Sequence, residues 1–200
     1  MIRRLYTALL ALAAPVFWLL LWRRSRREGG QWQILAGERF GRYPGAAPAS
    51  GAVWVHAVSL GETRAAKPLL DALLAQGATV LLTHTTATAR AESSRLFAAE
   101  LASGRLLQAW LPYDFPWAVG RFLRHYRPRL GVLIEREVWP NLVAGASAAG
   151  VPLALVSARL SAASAATMAR LRPLMAPAFA ALDPVLAQTA DDAARLARLC

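Results

Sequence analysis

The chain reads as an α/β protein: a Rossmann-like parallel sheet with helices on both faces, preceded by an amino-terminal membrane-anchor helix. Three observations predict this. Strand-like and helix-like segments alternate from Ala52 onward, the pattern of a parallel sheet buried between helical layers. An uncharged run, Leu5–Trp22, comes first and is bracketed by arginines. Acidic residues stand where strand-like runs end, at Glu62 and at Glu135 and Glu137, the edge along which open α/β sheets keep their ligands.

Leu5–Trp22 is near the lower limit of about 17 residues for a helix that crosses a bilayer, and Pro15 interrupts it. Arg3 and Arg4 precede the run while Arg23, Arg24, Arg26 and Arg27 follow it. That heavier positive flank predicts that the following domain stays on the cytoplasmic face. Tyr6, Phe17, Trp18 and Trp22 suit an interfacial anchor. A secretory signal is the competing reading, but arginines rather than a small-residue cleavage site follow the run. Residues 1–27 are thus expected to anchor the chain. Residues 28–51, Gly/Pro/Ala-rich from Gly45 to Gly51, are expected to link the anchor to a globular domain over 52–200.

Within that domain the pattern predicts strand Ala52–Ser59, helix Thr63–Gln76, strand Thr79–Leu82, helix Thr88–Ala99 and strand Leu106–Trp110. Helix Trp117–His125, strand Leu130–Ile134, helix Asn141–Ala149 and strand Leu153–Val156 follow. Ser164–Ala181 reads as one helix or two, because Pro173 and Pro177 break or kink it. Val185–Gln188 is a last strand, and Asp191–Leu199 begins a helix.

Composition excludes several classes. An apolar content of 56% with 18% charged residues is not that of a disordered chain. The net charge of +11 rests almost wholly on arginine, Lys67 being the single lysine. Since arginines crowd beside the apolar run, anionic membrane lipid is the expected partner, each cation adding about 1 kcal/mol. No basic stripe interleaved with stacking aromatics or reader motif points to nucleic acid. Cys200 is the only cysteine, which leaves no intramolecular disulfide. No Asp-X-Asp clamp and no histidine pair at ligand spacing suggests a metal, and no glycine-rich phosphate loop suggests a nucleotide held by this chain. No cofactor is expected.

The candidate chemistry lies in the carboxylates. Glu62 follows Gly61 at a predicted strand-to-helix junction, where the helix dipole favours its ionised form; it serves either as a base or as an ordinary first-turn acid. Glu135 and Glu137 alternate with Arg136, so an extended backbone would present both carboxylates on one face. Trp139-Pro140-Asn141 forms a rigid corner in which Asn141 caps the next helix. The hydroxyls of Thr83-His84-Thr85-Thr86 bind a sugar or phosphate, or cap the helix after them. His56, inside a strand, reads as a core or site-wall residue.

Trp54-Val55-His56-Ala57-Val58-Ser59-Leu60-Gly61-Glu62, Leu111-Pro112-Tyr113-Asp114, Glu135-Arg136-Glu137-Val138-Trp139-Pro140-Asn141 and Ala158-Arg159-Leu160-Ser161 resemble, in order and spacing, successive motifs of the Kdo transferases. Three positions depart from that pattern: Ala89 stands where glycine is usual, Ser157 where asparagine is, and Ala163 where a later arginine is. The resemblance covers the amino-terminal half of the family. It implies the acceptor-side half of a GT-B-type inverting glycosyltransferase that moves 3-deoxy-D-manno-octulosonic acid (Kdo) from CMP-Kdo to the lipid A precursor, lipid IVA, in lipopolysaccharide core synthesis. CMP-Kdo, the donor, would be held mainly by a carboxyl-terminal domain absent here, so the chain alone would be inactive. The resemblance further implies Glu62 as base, Glu135 as transition-state stabiliser, and Ser59, Gly61, Thr85, Thr86, Glu137, Arg159 and Ser161 as substrate-binding candidates. The setting implied is the cytoplasmic face of the inner membrane. The rival class is a non-catalytic α/β module whose cationic anchor recruits a partner to the membrane surface.

Overall fold

The computed structural model describes residues 1–27 and 32–199. Helix α1 (Ile2–Arg27) precedes a six-stranded sheet built from β1 (Val53–His56), β2 (Val80–His84), β3 (Leu106–Trp110), β4 (Leu130–Ile134), β5 (Leu153–Ala158) and β6 (Leu182–Ala187). The order is β3-β2-β1-β4-β5-β6 and every pairing is parallel. This is the doubly wound order, whose reversal falls between β1 and β4.

The helices are α2 (Leu60–Ala75), α3 (Ala87–Leu96), α4 (Ala98–Ala102), α5 (Pro116–Tyr126), α6 (Pro140–Ala148), α7 (Ala162–Arg170), α8 (Arg172–Phe179) and α9 (Ala190–Leu196). Side chains of β1 alternate between two apolar layers. Val53 and Val55 join Leu70 and Leu74 of α2, while Trp54 joins Phe122 of α5 and Leu142 of α6. Both faces of the sheet are therefore covered, which explains why the central strands lack a polar side. Trp54 needs space on its neighbour: it pairs with Gly131 of β4, where a Cβ would come within 2.6 Å of the indole.

Differences from the sequence reading fall at the element ends. β1 stops at His56, and α2 begins at Leu60 because the Ser59 side chain accepts from the Glu62 N–H as the helix cap. The helix expected over Thr88–Ala99 is two, α3 and α4, meeting at buried Phe97. Ser164–Ala181 is likewise two helices, with Pro173 in the first turn of α8. Asn141 does not cap α6. Trp139 occupies the cap position without a side-chain bond, and Asp114 supplies the acceptors instead, taking the N–H groups of Asn141 (3.1 Å) and Leu142 (2.7 Å).

The connection expected over 28–51 is partly packed. Residues 28–31 lie outside the described residues, but Ile34 and Arg39 are buried and Gly37–Phe40 forms a 3-10 turn. Arg39 donates to the carbonyls of Trp32, Gln33 and Thr85 and lies 4.3 Å from the Trp110 ring centroid. The turn ends at Gly41, whose φ of +68° and closeness to Ala118 O, 2.6 Å from an added Cβ, admit only glycine.

Helix α1 is long and apolar enough to cross a membrane by length and composition, with 6% of its most apolar window buried. One side rests on the domain. Tyr6 donates to Asp114 at 2.9 Å, Asn141 donates to Thr7 at 2.9 Å, and Trp18 packs among Phe40, Tyr113 and Phe115. Leu5, Leu9, Leu12, Val16 and Leu20 on the same helix are exposed.

Candidate active site

β1 and β4 are neighbours, so the segments after them emerge side by side at the carboxyl edge of the sheet. Glu62 comes from the first, Glu135 and Glu137 from the second.

Glu62 and Ser59 form a reciprocal cap. The Glu62 N–H donates to Ser59 Oγ, Ser59 Oγ donates to Glu62 Oε1 at 3.0 Å, and the Val58 N–H donates to Oε2 at 2.8 Å. The first-turn reading of Glu62 is thus realised. It does not exhaust the side chain, because each carboxylate oxygen accepts one bond and has a second lone pair. Burial pushes the Glu62 carboxyl above the usual range, the Val58 and Ser59 bonds oppose that, and the negative charges of Glu137 and Glu135 add to it. Gly61 is exposed in the first turn of α2 and its Cβ position is open, with nothing nearer than 3.9 Å. The fold does not need glycine there, and the surface beside Glu62 is open.

Glu135 and Glu137 do not sit on an extended strand. Glu135 has φ +60°, and the chain turns there, the Arg136 N–H donating to Ile134 O and the Val138 N–H to Arg136 O. A left-handed non-glycine residue costs about 1–3 kcal/mol and is tolerated where the surroundings hold it. Here the Glu135 N–H donates to Val156 O. The alternation argument therefore fails, yet both carboxylates still lie close enough to Glu62 to raise its pKa. Glu137 accepts from the Trp139 indole at 2.9 Å and lies 3.8 Å from His56 Nε2. Burial alone would raise its carboxyl; the His56 ring, the Trp139 N–H and the Arg136 guanidinium more than offset this and hold it below the usual range.

The other candidates divide. Thr86 caps α3, accepting from the Ala89 N–H and donating to Val58 O at 2.7 Å, so its hydroxyl is spent on structure while its loop is tied to the Glu62 junction. Thr85 is half-buried and its carbonyl receives Arg39. Ala89, buried inside α3, fits the helix without strain. Arg159 is exposed at the same sheet edge, its N–H 3.4 Å from Glu135 O. Ser161 is exposed and caps α7, accepting from the Ser164 N–H. Among the described residues no group of three or more His, Cys, Asp or Glu side chains has a metal-holding arrangement.

Beside the carboxylates a cleft of about 460 Å3 opens between α1 and the sheet edge. Leu10, Ala13, Phe17 and Trp18 form one wall and Leu111 and Phe115 the other, with Arg39, Thr85, Glu137 and Trp139 among the polar groups. Arg39 and the α1 wall escape sequence reasoning because they reach the site only through packing. His56 was legible as a site-wall residue, though its facing of Glu137 was not.

Fold and site together define a Rossmann-like α/β domain with a carboxylate-lined crevice at the strand ends, the class to which halves of GT-B glycosyltransferases belong. The family described as 3-deoxy-D-manno-octulosonic-acid transferase (kdotransferase) matches residues 36–200, and the chain belongs to that family. It is 60% identical over 196 residues to the 3-deoxy-D-manno-octulosonic acid transferase of Bordetella pertussis, covering 97% of this chain and 46% of that protein. Identity to the Haemophilus influenzae protein of the same name is 30% over 198 residues, 98% of this chain and 45% of that protein. A probable mitochondrial member from Arabidopsis thaliana is 37% identical over 163 residues, 79% of this chain and 34% of that protein. The chain thus spans less than half the length of these relatives.

Proposed function

We propose that this chain is the acceptor-side half of a metal-independent, inverting Kdo transferase that moves Kdo from CMP-Kdo to the lipid A precursor at the cytoplasmic face of the inner membrane. The observation that carries the reading is the meeting of Glu62, Glu135 and Glu137 at the ends of β1 and β4, beside a cleft walled by an apolar helix. In the proposed step an acceptor hydroxyl gives its proton to Glu62 as its oxygen attacks the anomeric carbon of Kdo. The anomeric carbon–oxygen bond breaks, and CMP leaves with the electron pair. Positive charge developing at that carbon is favoured by the Glu135 and Glu137 carboxylates. A raised Glu62 carboxyl suits a base, since a carboxylate that holds a proton more firmly also removes one more readily. Contacts to the nucleotide belong, in this reading, to the part of the relatives' length that this chain does not span.

The test is to join this chain to the remaining portion of the Bordetella pertussis relative and supply CMP-Kdo and lipid A precursor. Mass spectrometry should find the Kdo-bearing lipid and free CMP. A folded hybrid that consumes no CMP-Kdo overturns the proposal.

A further inference from the structure

The cleft beneath α1 is mainly apolar, with Leu10, Phe17, Leu111 and Phe115 among its lining, and such a space favours a hydrocarbon ligand over water. Polar groups border it too: Arg39, Thr85, Asp114 and Glu137, and Val58, whose N–H donates to the Glu62 carboxylate. A molecule in the cleft therefore meets apolar side chains of α1 and, through Val58 and Glu137, the edge of the carboxylate site.

Two further features specify that molecule. Arg39 lines the cleft, and among the described residues no carboxylate lies within ion-pairing distance of it; its donors go to carbonyl oxygens. Its charge complements an anionic head. The outer face of α1, with Leu5, Leu9, Leu12 and Val16, is exposed and apolar, so the helix is a partition between the cleft and any apolar phase that this face meets. A hydrocarbon chain drawn from that phase has only to pass the helix.

We infer that the cleft holds one acyl chain of the acceptor, an anionic acylated saccharide, with its sugar hydroxyl presented to Glu62. The inference rests on the acceptor reading above and adds the subsite and the class of group that fills it. Ala13 lines the cleft yet is exposed, whereas its neighbour Ala14 is buried in the contact that docks α1. A larger residue at 13 fills the cleft without displacing the docked face.

Two measurements test this. In the hybrid enzyme, Ala13→Trp should raise KM for the acylated precursor about tenfold, the effect of excluding roughly two methylene groups. With a deacylated water-soluble phosphodisaccharide the change relative to Ala13→Ser should be several-fold smaller, because no acyl chain competes with the added indole. An unchanged KM, or equal loss with both acceptors, overturns the subsite. Separately, the 200-residue chain in phosphatidylethanolamine vesicles is photolabelled with a diazirine-bearing acylated phosphodisaccharide and with phosphatidylglycerol carrying the same diazirine chain. The saccharide probe should label the inner face of α1 and the Leu111–Phe115 segment, and Ala13→Trp should reduce that labelling. Equal labelling by phosphatidylglycerol makes bulk lipid the occupant and overturns the inference, as does label confined to Leu5, Leu9 and Leu12. Selective labelling of the 200-residue chain, beside a folded hybrid without transferase activity, leaves the subsite standing while the proposed reaction falls.

Discussion

His56 Nε2 lies 3.8 Å from the Glu137 carboxylate and is, among the described residues, the buried side-chain polar atom left without a hydrogen bond. The other ring nitrogen holds the ring in place: Nδ1 lies 2.9 Å from Thr83 Oγ1 and 3.1 Å from Thr83 O. Burial is the largest influence on the Glu137 carboxyl and would raise it, but the His56 ring at its side, with the Trp139 indole N–H and the Arg136 guanidinium, holds it below its usual range.

Replacing His56 with Asn removes that support and leaves burial to dominate, so Glu137 should titrate at higher pH than in the parent. Carbon-13 NMR of labelled glutamates, with the Glu137 signal assigned from Glu137→Gln, reads this directly. An unmoved or lower Glu137 midpoint in the folded variant contradicts the pairing.

Glu62→Gln should separate chemistry from capping. Glutamine also serves at this position of a capping box, so the helix start survives, whereas Glu62→Ala loses the cap and about 1 kcal/mol of stability. Loss of the base should lower kcat of the hybrid enzyme about a hundredfold in both variants. In the parent, the acid limb of kcat/KM should lie above the ordinary glutamate range, because activity falls as pH drops through the raised Glu62 pKa. A folded Glu62→Gln enzyme at near-parental rate removes Glu62 as base.

At Glu135 stability and activity should part. Glycine adopts φ +60° without strain, so Glu135→Gly should unfold at equal or higher denaturant concentration, by up to about 1 kcal/mol, while transfer collapses. The Glu135→Gln loss in turnover should exceed that of Glu137→Gln. Equal or reversed losses would mean that the two carboxylates exchange roles.

How much of this was legible depends on how local its cause is. β-α alternation and the strand-end acids follow from neighbouring residues, and the sheet bears them out. Proline at the start of α8 did what its missing N–H predicts. Asn141 was misread because a capping residue was expected at the corner, while the acceptor comes from Asp114, far away in sequence. Residues 32–43 looked like a loose connection because the segment around them is rich in polar, Gly and Ala residues, yet Arg39 is fixed by Trp110 and Thr85. No period in the sequence encodes such contacts. The left-handed turn at Glu135 was hidden for the same reason: an alternating Glu-Arg-Glu reads as extended, and the bonds to β5 bend it.

Asp114 joins α1 to α6, and its carboxyl is pushed up to about 6 by burial, although the N–H groups of Asn141 and Leu142 and the Tyr6 hydroxyl oppose that shift. A folded pKa above the unfolded value means that the folded state binds the proton more tightly. The associated stability is present below the unfolded pKa and is lost as pH rises through about 6. Denaturation of parent and Asp114→Asn chains across this window should show the parent losing stability relative to the variant as pH rises. A difference that is flat with pH, or of opposite slope, contradicts the buried proton.

The docking of α1 gives the last prediction. Removing residues 1–27 takes away the apolar run with its arginine flanks, so flotation with anionic vesicles should fall sharply. It also uncovers the seat of Trp18 and Ala14, formed by Phe40, Tyr113, Phe115 and Ala118. The sheet core, built from Trp54, Leu82, Leu133 and Leu155, makes no use of α1. The truncated chain should therefore keep its far-ultraviolet circular dichroism for the sheet and its helices, yet bind a hydrophobic dye and self-associate. Trp18→Ala in the whole chain should raise dye binding while flotation stays near parental, because the outer leucines remain. If the truncated chain still floats with vesicles at moderate salt, the domain surface and not α1 holds the membrane; if it binds no dye, the seat of Trp18 is closed by something other than α1.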